Sequence, residues 1–431
     1  MNRLMRVLRK NDMVDTFLRL KGNARACIWT EPLWGVPFNL YKPYIARYMV
    51  LMGLSMTDLG IISTISYISQ AISSILSGVL TDKLGRRKCT LIFDVLSWSI
   101  PELLWAFSQN ITWFIAAALF NGLWKITDNS WSLLLVEDTP REQIVPVFSM
   151  ASFMGVIATF VAPASMWAVM HYSVIPTMRV LYFIAFLSMT AKFVILYIYS
   201  KETKVGTRRL AATKNVSIFR SLYECKDVYL GILREKRMLL TLGILAVYSL
   251  VNNVNDNYWS NFVTGYLGFR ESDLSLFTMA KGAATLCAIL ILVPRLKHLS
   301  FRRPMLSAIS MLASSQAIML MLDAFSAPRA FAWPTLILCV CLEAMAIALL
   351  APLTSSMLYF HADPEERARI YGMVYATISL MVCVFPIAIG GLASLSLYLP
   401  YFVNFFLFAV IALLTILLAR IPIPEHQTDE T

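Results

Sequence analysis

The sequence predicts an all-α polytopic membrane protein, with twelve transmembrane helices in two pseudo-symmetric bundles of six. Of the 431 residues, 58% are hydrophobic and only 15% are charged, whereas charged residues make up about a quarter of an ordinary soluble domain. The apolar residues gather in runs of about twenty, the length that a helix needs to cross a bilayer. Basic residues lie in short loops between these runs, as they do in membrane proteins.

Twelve stretches meet the length and apolarity required of a spanning helix. In chain order, spans 1 to 12 are 26–50, 58–81, 89–108, 111–135, 145–170, 176–199, 238–262, 273–294, 303–323, 331–359, 367–392 and 397–420. The basic loops follow even-numbered spans, which predicts that these loops and both termini are cytoplasmic in a plasma (inner) membrane protein. This placement explains the formal net charge of +11 without a nucleic-acid partner.

The longest loop divides the spans six and six and sets the domain organisation. The predicted parts are a basic cytoplasmic segment (1–24), an N-terminal bundle (25–200), a cytoplasmic linker (201–237), a C-terminal bundle (238–421) and a cytoplasmic tail (422–431). Two interpretations of the first segment stay open, a membrane-surface helix and a disordered basic tail. Acidic, proline-containing turns recur after spans 4 and 10, which suggests that the halves are repeats with a binding site between them.

Residues 78–88, here named the signature loop, join spans 2 and 3 with the sequence Gly-Val-Leu-Thr-Asp-Lys-Leu-Gly-Arg-Arg-Lys. Gly78 and Gly85 permit close helix approach and a tight turn. Asp82 can face the positive N-terminal end of a neighbouring helix. Arg86 or Arg87 can pair with a carboxylate at the end of span 4. The carboxylates available there are Glu137 and Asp138.

This loop resembles the signature of the major facilitator superfamily: glycine, three residues, aspartate, a basic residue, any residue, glycine and two basic residues. The resemblance extends to the twelve spans and the long middle loop. It implies alternating access, usually by a monomer, with spans 1, 4, 7 and 10 lining a central cavity. It also implies a conformational latch that favours the outward-facing state. The residues assigned to the latch are Gly78, Asp82, Gly85, Arg86, Arg87, Glu137 and Asp138.

Several ionisable residues lie inside the predicted spans, where each costs about 2.5–3.5 kcal/mol at the bilayer centre. Glu31, Asp128, Asp256 and Glu343 fall on the four spans that the resemblance places around the cavity. Each has two interpretations, a buried ion pair that fixes helix packing or a group that binds protons or substrate. Estimated depths along the helices allow a pair between Glu31 and Lys125.

A second cluster is expected from Asp256, Lys281 and Glu343, at similar depth in the second half. Glu343 has no basic residue near it in its own span. A lone carboxyl group in an apolar wall can carry a proton, because burial disfavours its charged form. We therefore assign Glu343 to proton coupling, together with Asp128. Other charges are set aside, Asp94 as structural and Glu102 and Lys192 as residues of peripheral spans.

Span 7 contains the unusual run Asn252-Asn253-Val254-Asn255-Asp256-Asn257-Tyr258-Trp259-Ser260-Asn261. A helix facing lipid could not carry so many polar groups, so it is either broken or surrounded by neighbouring helices and water. Amides beside an aromatic ring suit hydroxyl-rich solutes. The alternative is that the run is simply the extracellular end of the helix. The predicted substrate-binding residues are Glu31, Trp124, Lys125, Asn252, Asn255, Asp256, Trp259 and Lys281.

These features predict a proton-coupled secondary transporter of a small polar organic solute, with a sugar or glycoside favoured. Two alternatives stay open: efflux of cationic or amphiphilic compounds, and a receptor or scaffold with the same fold that transports nothing. The sequence contains no phosphate-binding glycine loop and no credible nucleophile–base pair, so an enzyme is not expected. The seven cysteines show no metal-ligand spacing, and we expect no metal, cofactor or disulfide.

Overall fold

The computed structural model describes residues 20–214, 216–217, 235–292, 302–324, 329–361 and 367–421, and all regular structure in this part of the chain is helical. The predicted cytoplasmic segment up to residue 19, the linker residues 218–234 and the tail from residue 422 lie outside the described residues. A short helix, Lys204–Thr213, occupies the start of the linker.

The first half contains spans 1 to 6, several of them built from two shorter helices. Their α-helices are Gly22–Thr30, Pro32–Tyr41 and Ile45–Leu51 in span 1, Met56–Leu84 in span 2, Arg86–Asp94 and Ile100–Ala106 in span 3, Ile111–Asn121 and Trp124–Val136 in span 4, Arg141–Ala158 and Pro163–Tyr172 in span 5, and Val174–Tyr199 in span 6. A π-helical turn, Val95–Ser99, joins the two parts of span 3.

The second half contains spans 7 to 12. Its α-helices are Lys236–Asn261 in span 7, Asp273–Ile291 in span 8, Arg302–Ala324 in span 9, Arg329–His361 in span 10, Arg367–Val382 and Phe385–Leu395 in span 11, and Leu399–Leu418 in span 12. The asparagine-rich run of span 7 stays helical, so the helix is surrounded rather than broken. Asn253 and Asn261 within it are buried, and a π-helical turn, Phe262–Tyr266, follows.

Nine helical stretches among the described residues are long and apolar enough to cross a membrane. They lie in spans 2, 3, 5, 6, 7, 9, 10, 11 and 12. Spans 1, 4 and 8 are helical but do not reach this standard among the described residues. Spans 1 and 4 are split into shorter helices, span 1 beside Pro32 and Pro43 and span 4 at Gly122. The membrane-protein fold is confirmed, and the count of twelve stays a prediction.

The two halves meet along spans 2 and 11, where glycines allow the backbones to touch. A Cβ atom at Gly60 would lie 2.3 Å from the carbonyl oxygen of Pro386, and one at Gly390 would lie 2.8 Å from that of Met56. Nearer the signature loop, a Cβ at Gly372 would lie 3.0 Å from a backbone oxygen of span 2. Small residues permit such close packing in membranes, where dispersion replaces the hydrophobic effect.

The halves are also joined at the end opposite the signature loop. Arg47 of span 1 forms an ion pair of 2.8 Å with Glu271, which precedes span 8. The Ser275 hydroxyl lies 2.5 Å from the hydroxyl of Tyr44 and 3.0 Å from that of Ser165. These contacts link spans 1, 5 and 8 and close this end of the molecule.

Candidate functional site

The predicted second-half charge cluster is centred on an ion pair between spans 8 and 10. The Lys281 ammonium group lies 2.9 Å from Glu343 Oε1. The Asn255 amide of span 7 donates to the same oxygen at 3.1 Å. The carboxylate therefore binds donors from two other helices, and the expectation that it lacks a basic neighbour holds only within its own span. Three helices converge on one buried carboxylate.

Further amides extend this cluster, which we name the amide site: Asn255, Lys281, Gln316, Glu343, Tyr401 and Asn404. The Gln316 amide of span 9 donates to Asn255 Oδ1 at 3.2 Å, and that of Asn404 of span 12 approaches the same oxygen at 3.5 Å. A cavity of about 10 Å³ is lined by four residues of this site, Asn255, Gln316, Glu343 and Tyr401. This is the space of a single water molecule, so the helices are drawn together in this conformation.

Three buried oxygens of the amide site have no hydrogen-bond partner among the described residues. They are Gln316 Oε1, Asn404 Oδ1 and the Tyr401 hydroxyl. A buried polar group without a partner costs about 1–3 kcal/mol, so these atoms favour a bound species that supplies donors. Trp259 lines the same cavity and packs edge-on against Phe277, with 5.9 Å between the ring centroids.

The amide site is accessible on one side. The Lys281 side chain is 40% exposed, whereas that of Glu343 is only 9% exposed. Asp256 is exposed and lies near enough to Lys281 to attract its charge. Asn252 lies beside Tyr248, one turn earlier on span 7. Of the predicted second-half residues, Asn255, Lys281, Glu343 and Trp259 therefore converge, and Asp256 and Asn252 border them.

In the first half, Lys125 does not pair with Glu31, so that expected pair is wrong. The Lys125 ammonium group lies over the ring of Trp124 at 3.8 Å and over that of Tyr375 at 4.4 Å, measured to the ring centroids. Tyr375 belongs to span 11, so this cation–π contact crosses between the halves. Asp128 is exposed one turn further along span 4.

Glu31 instead pairs with Lys192 of span 6, at 2.9 Å between Oε2 and Nζ. The sequence interpretation set Lys192 aside as peripheral, but its side chain is only 6% exposed. Glu102, also set aside, is fully buried and accepts a hydrogen bond from Tyr41 at 2.5 Å. The available signal for the Glu31–Lys192 pair was the opposite charge of the two residues, with Glu31 the one acidic residue of span 1.

The signature loop forms a charge network within the first half. Arg86 pairs with Asp82 at 2.9 Å and with Glu137, at the end of span 4, at 3.0 Å. The Thr203 hydroxyl of the linker also donates to Glu137. Gly85 has a φ of +79°, a backbone conformation that glycine adopts readily. The loop thus ties spans 2, 3 and 4 to the linker.

Glu202, which the sequence did not point to, binds the N-terminus of the first helix of span 3. Its carboxylate accepts the backbone N–H groups of Arg86 and Arg87 at 3.0 and 3.1 Å. A carboxylate at a helix N-terminus is stabilised by the exposed N–H groups and the helix dipole. The Arg87 guanidinium group pairs with no carboxylate among the described residues and donates to the Tyr197 carbonyl oxygen at 2.6 and 2.8 Å. No motif pointed to Glu202, because its partners are backbone atoms.

Two further assignments to the latch differ from expectation. Asp138 accepts the backbone N–H of Lys204 at 3.3 Å, and no arginine. A Cβ at Gly78 would meet nothing within 4 Å, so close helix approach does not explain this glycine. In span 2 the close approaches occur at Gly60 and beside Ser69, which contacts Gly122.

Gln316, Asn404 and Tyr401 of the amide site were also missed. They stand on spans 9 and 12, which sequence reasoning left out of the cavity. The only sequence feature that could have indicated Gln316 and Asn404 was an amide side chain in a largely apolar span. The described residues contain no group of three His, Cys, Asp or Glu side chains able to hold a metal ion.

Comparisons with known proteins agree with this architecture. The family model of the Major Facilitator Superfamily matches residues 34–257 and 242–431. No curated protein matches the sequence significantly. Among solved structures, the nucleoside transporter NupG (D323A mutant) superimposes with a TM-score of 0.70 at 15% identity, covering 92% of this chain and 99% of that one.

Two other solved structures have a similar fold. A POT family transporter in complex with a thioalcohol conjugated peptide gives a TM-score of 0.68 at 15% identity, over 91% of this chain and 94% of the other. A D-xylose-proton symporter gives 0.66 at 14% identity, over 94% and 98%. The family match covers most of the sequence, and the chain belongs to the Major Facilitator Superfamily of membrane transporters.

Proposed function

We propose that this protein is a secondary transporter that carries a small polar organic solute by alternating access and couples this movement to protons. The observation that supports the proposal is the amide site. It combines an ion pair, three amides and three buried oxygens that have no partner in the described part of the chain, all inside a membrane-spanning bundle. Such a costly arrangement of polar groups in a membrane is typical of a functional site.

The amide site suits a solute rich in hydroxyl groups. Gln316 Oε1 and Asn404 Oδ1 are acceptors, so they need donors from the solute. Asn255 contacts both amides and Glu343. It therefore connects a solute bound at the amides to the Lys281–Glu343 ion pair. Trp259 offers an aromatic surface of the kind that stacks on a sugar face. We favour a sugar or glycoside on these grounds.

Glu343 is the proposed coupling residue. As a carboxylate it accepts from Lys281 and Asn255. When a proton binds, the attraction to Lys281 is lost, and the helices of spans 8 and 10 become free to separate. Asp128, exposed beside Lys125, is the second residue that we assign to coupling.

The latch of the signature loop is part of the proposal. Its network of Asp82, Arg86 and Glu137 holds one end of the first half together with the linker. At the opposite end, the Arg47–Glu271 pair joins the halves. Movement of one half against the other along spans 2 and 11 would open and close these ends alternately.

Efflux of cationic compounds is the second candidate function. The aromatic surfaces that would receive a cation include Trp124 and Tyr375, and Lys125 already lies over both. A cationic drug would have to displace this ammonium group, so the geometry favours the polar solute. A receptor or scaffold without transport remains the third candidate. We also propose that the protein acts as a monomer in the plasma membrane, with cytoplasmic termini.

A thermal-shift screen of purified protein against sugars, glycosides, organic cations and dyes tests the proposal. A ligand that binds the native state raises the melting temperature by mass action. We expect a sugar or glycoside to stabilise the wild type and Asn121→Ala, but not Asn255→Ala. Asn121 is the matched control, because its amide joins spans 3 and 4 through the Ser97 carbonyl oxygen. Stabilisation by dyes alone would support efflux.

Transport in proteoliposomes completes the test. The stabilising compound should enter against its gradient when a proton gradient is imposed, and Glu343→Gln should retain only downhill movement. A compound that binds without moving in either direction would point to a receptor.

A further inference from the structure

Asp94 is a buried carboxylate of span 3 that the proposed transport cycle does not yet use. Its side chain is 5% exposed, and the Thr127 hydroxyl of span 4 donates to Oδ1 at 2.7 Å. The other oxygen, Oδ2, is buried and has no hydrogen-bond partner among the described residues. A buried oxygen of this kind costs free energy unless a proton or a donor reaches it.

The surroundings of Asp94 contain one cation and a second carboxylate. Lys192 of span 6 pairs with Glu31 of span 1 at 2.9 Å and also attracts Asp94. Two thiols are further titratable neighbours of Asp94 among the described residues, Cys27 of span 1 and Cys89 of span 3, and both are fully buried. From span 4, the Thr127 hydroxyl donates to Asp94, and the ring of Trp131 lies near the Lys192 ammonium group.

These charges do not balance. With both carboxylates ionised, the group of Glu31, Asp94 and Lys192 carries a net charge of −1 in a region closed by aromatic rings. Trp34, Trp131 and Phe193 lie with centroids 5.7, 5.9 and 5.8 Å from the ammonium group. Burial of an uncompensated charge is strongly unfavourable. One proton on a carboxylate oxygen makes the group neutral.

We propose that Asp94 Oδ2 is a second proton-binding site, in the first half of the molecule and separate from Glu343. One O–H bond forms at Oδ2, and the Glu31–Lys192 ion pair remains intact. The inference deepens the proposed function and rests on it, because it assigns a further coupling proton to the same transport cycle.

The backbone beside Asp94 is suited to convert this proton into movement. The π-helical turn Val95–Ser99 begins at the next residue. Such turns are rare and occur frequently at functional sites, because their hydrogen bonds differ from those of the flanking α-helix. A change of charge at Asp94 therefore acts where span 3 can change its geometry.

Infrared difference spectroscopy of the purified protein, without solute, tests the assignment. A protonated carboxyl group has a carbonyl band that a carboxylate lacks. We expect a band that weakens as the pH is raised and that is lost in Asp94→Asn. Glu102→Gln is the matched control, because Glu102 is also buried with one oxygen that lacks a partner among the described residues, but its neighbour is the Tyr41 hydroxyl and not a lysine–carboxylate pair. It should leave the titrating band unchanged.

A second variant tests the assignment even if Asp94→Asn folds poorly. Thr127→Val keeps the carboxyl group but removes the donor to Oδ1, and it should shift the frequency of the titrating band. A titrating band that persists in Asp94→Asn, or that keeps its frequency in Thr127→Val, would overturn the proposal. So would a spectrum that responds to sodium ions but not to pH, since a metal ion would then neutralise the site.

The infrared test and the test of the proposed function can fail independently of each other. The infrared band needs no solute, so its presence with no transported compound would contradict only the transport proposal. Solute transport by a wild-type protein that lacks the band would contradict only the second proton site.

Discussion

The two halves each contain a lysine–carboxylate pair within the helix bundle, but the pairs have different surroundings. Lys192 and Glu31 have side chains 6% and 13% exposed. In the second half, Lys281 is 40% exposed and Glu343 is 9% exposed. The two pairs have equal N–O distances of 2.9 Å. Exposure therefore distinguishes them: the first pair is enclosed by aromatic rings, whereas the lysine of the second pair is partly exposed.

The largest predicted difference concerns removal of one partner. Lys192→Met leaves Glu31 and Asp94 without a cation in a closed region, and we expect a loss of about 3–5 kcal/mol in stability. Lys281→Met should cost less, about 1.5–3 kcal/mol, because Glu343 keeps the hydrogen bond from Asn255 and water can enter the space that the partly exposed lysine leaves. Thermal unfolding followed by tryptophan fluorescence compares the two.

The control is the double variant Glu31→Gln with Lys192→Met, which removes both partners and should recover part of the lost stability. Equal losses for Lys192→Met and Lys281→Met would show that the two sites do not differ in access.

The next prediction separates coupling from binding at the amide site. Glu343→Gln keeps the size of the side chain but cannot release a proton, so proton-driven accumulation should disappear while solute exchange remains. Asn255→Ala should weaken binding about tenfold or more, as a hydrogen bond to a charged group contributes about 1.5–3 kcal/mol. Counterflow and proton-driven uptake in proteoliposomes measure the two effects. Accumulation that survives Glu343→Gln would remove this residue from coupling.

Glycine substitutions test whether access to the amide site depends on how the halves meet. A methyl group at Gly60 overlaps the Pro386 carbonyl oxygen, and we expect Gly60→Ala to cost about 1–3 kcal/mol through overpacking. It should also change the accessibility of Lys281 but not that of Lys192. Gly78→Ala, on the same helix, is the control, because a Cβ there meets nothing within 4 Å.

A smaller effect is expected at the signature loop, which stabilises the first half alone. Gly85→Ala places a Cβ 2.5 Å from the Glu202 carboxylate and strains a residue with positive φ, at a cost of about 1–2 kcal/mol. The linker helix should detach more easily, which limited proteolysis near residues 204–213 would detect. Unchanged cleavage would mean that the Glu202 contacts do not hold the linker.

The smallest effect is expected for the ion pair between the halves at the opposite end. Arg47 and Glu271 have side chains 21% and 30% exposed, and such partly exposed pairs contribute about 0.2–1 kcal/mol. Arg47→Gln should therefore leave the melting temperature almost unchanged while shifting the protein toward opening at this end. Uptake rates in the two directions would reveal the shift, and a large loss of stability would contradict it.

The sequence was sufficient for the class of fold and for the centre of the candidate site. Hydropathy and the signature loop predicted the membrane bundle and the family, and the polar run of span 7 pointed to Asn255. Helix partners were harder to predict. Depth estimates paired Glu31 with Lys125, but depth does not specify which face of a helix a residue occupies. Lys192 lies on the correct face of its span, and only coordinates show this.

Other residues were missed for a related reason. Gln316 is the one amide of span 9 and Asn404 that of span 12, and their role follows from convergence on Asn255. Tyr401 belongs to the site because it lines the same cavity as Asn255. Glu202 binds backbone N–H groups, which every residue possesses, so no side-chain pattern could point to it. Sequence patterns thus predict the individual helices. Predicting which helices contact each other also requires the orientation of each helix about its own axis.

Thiol accessibility tests the difference between the halves most directly. In a background with all seven native cysteines replaced, Lys281→Cys and Lys192→Cys are each treated with a small, charged thiol reagent in purified protein. We predict rapid labelling at position 281, slowed by the bound solute, and little or no labelling at position 192. Equal labelling at both positions, or an unreactive position 281, would contradict the assignment of the second-half pair to the transport pathway.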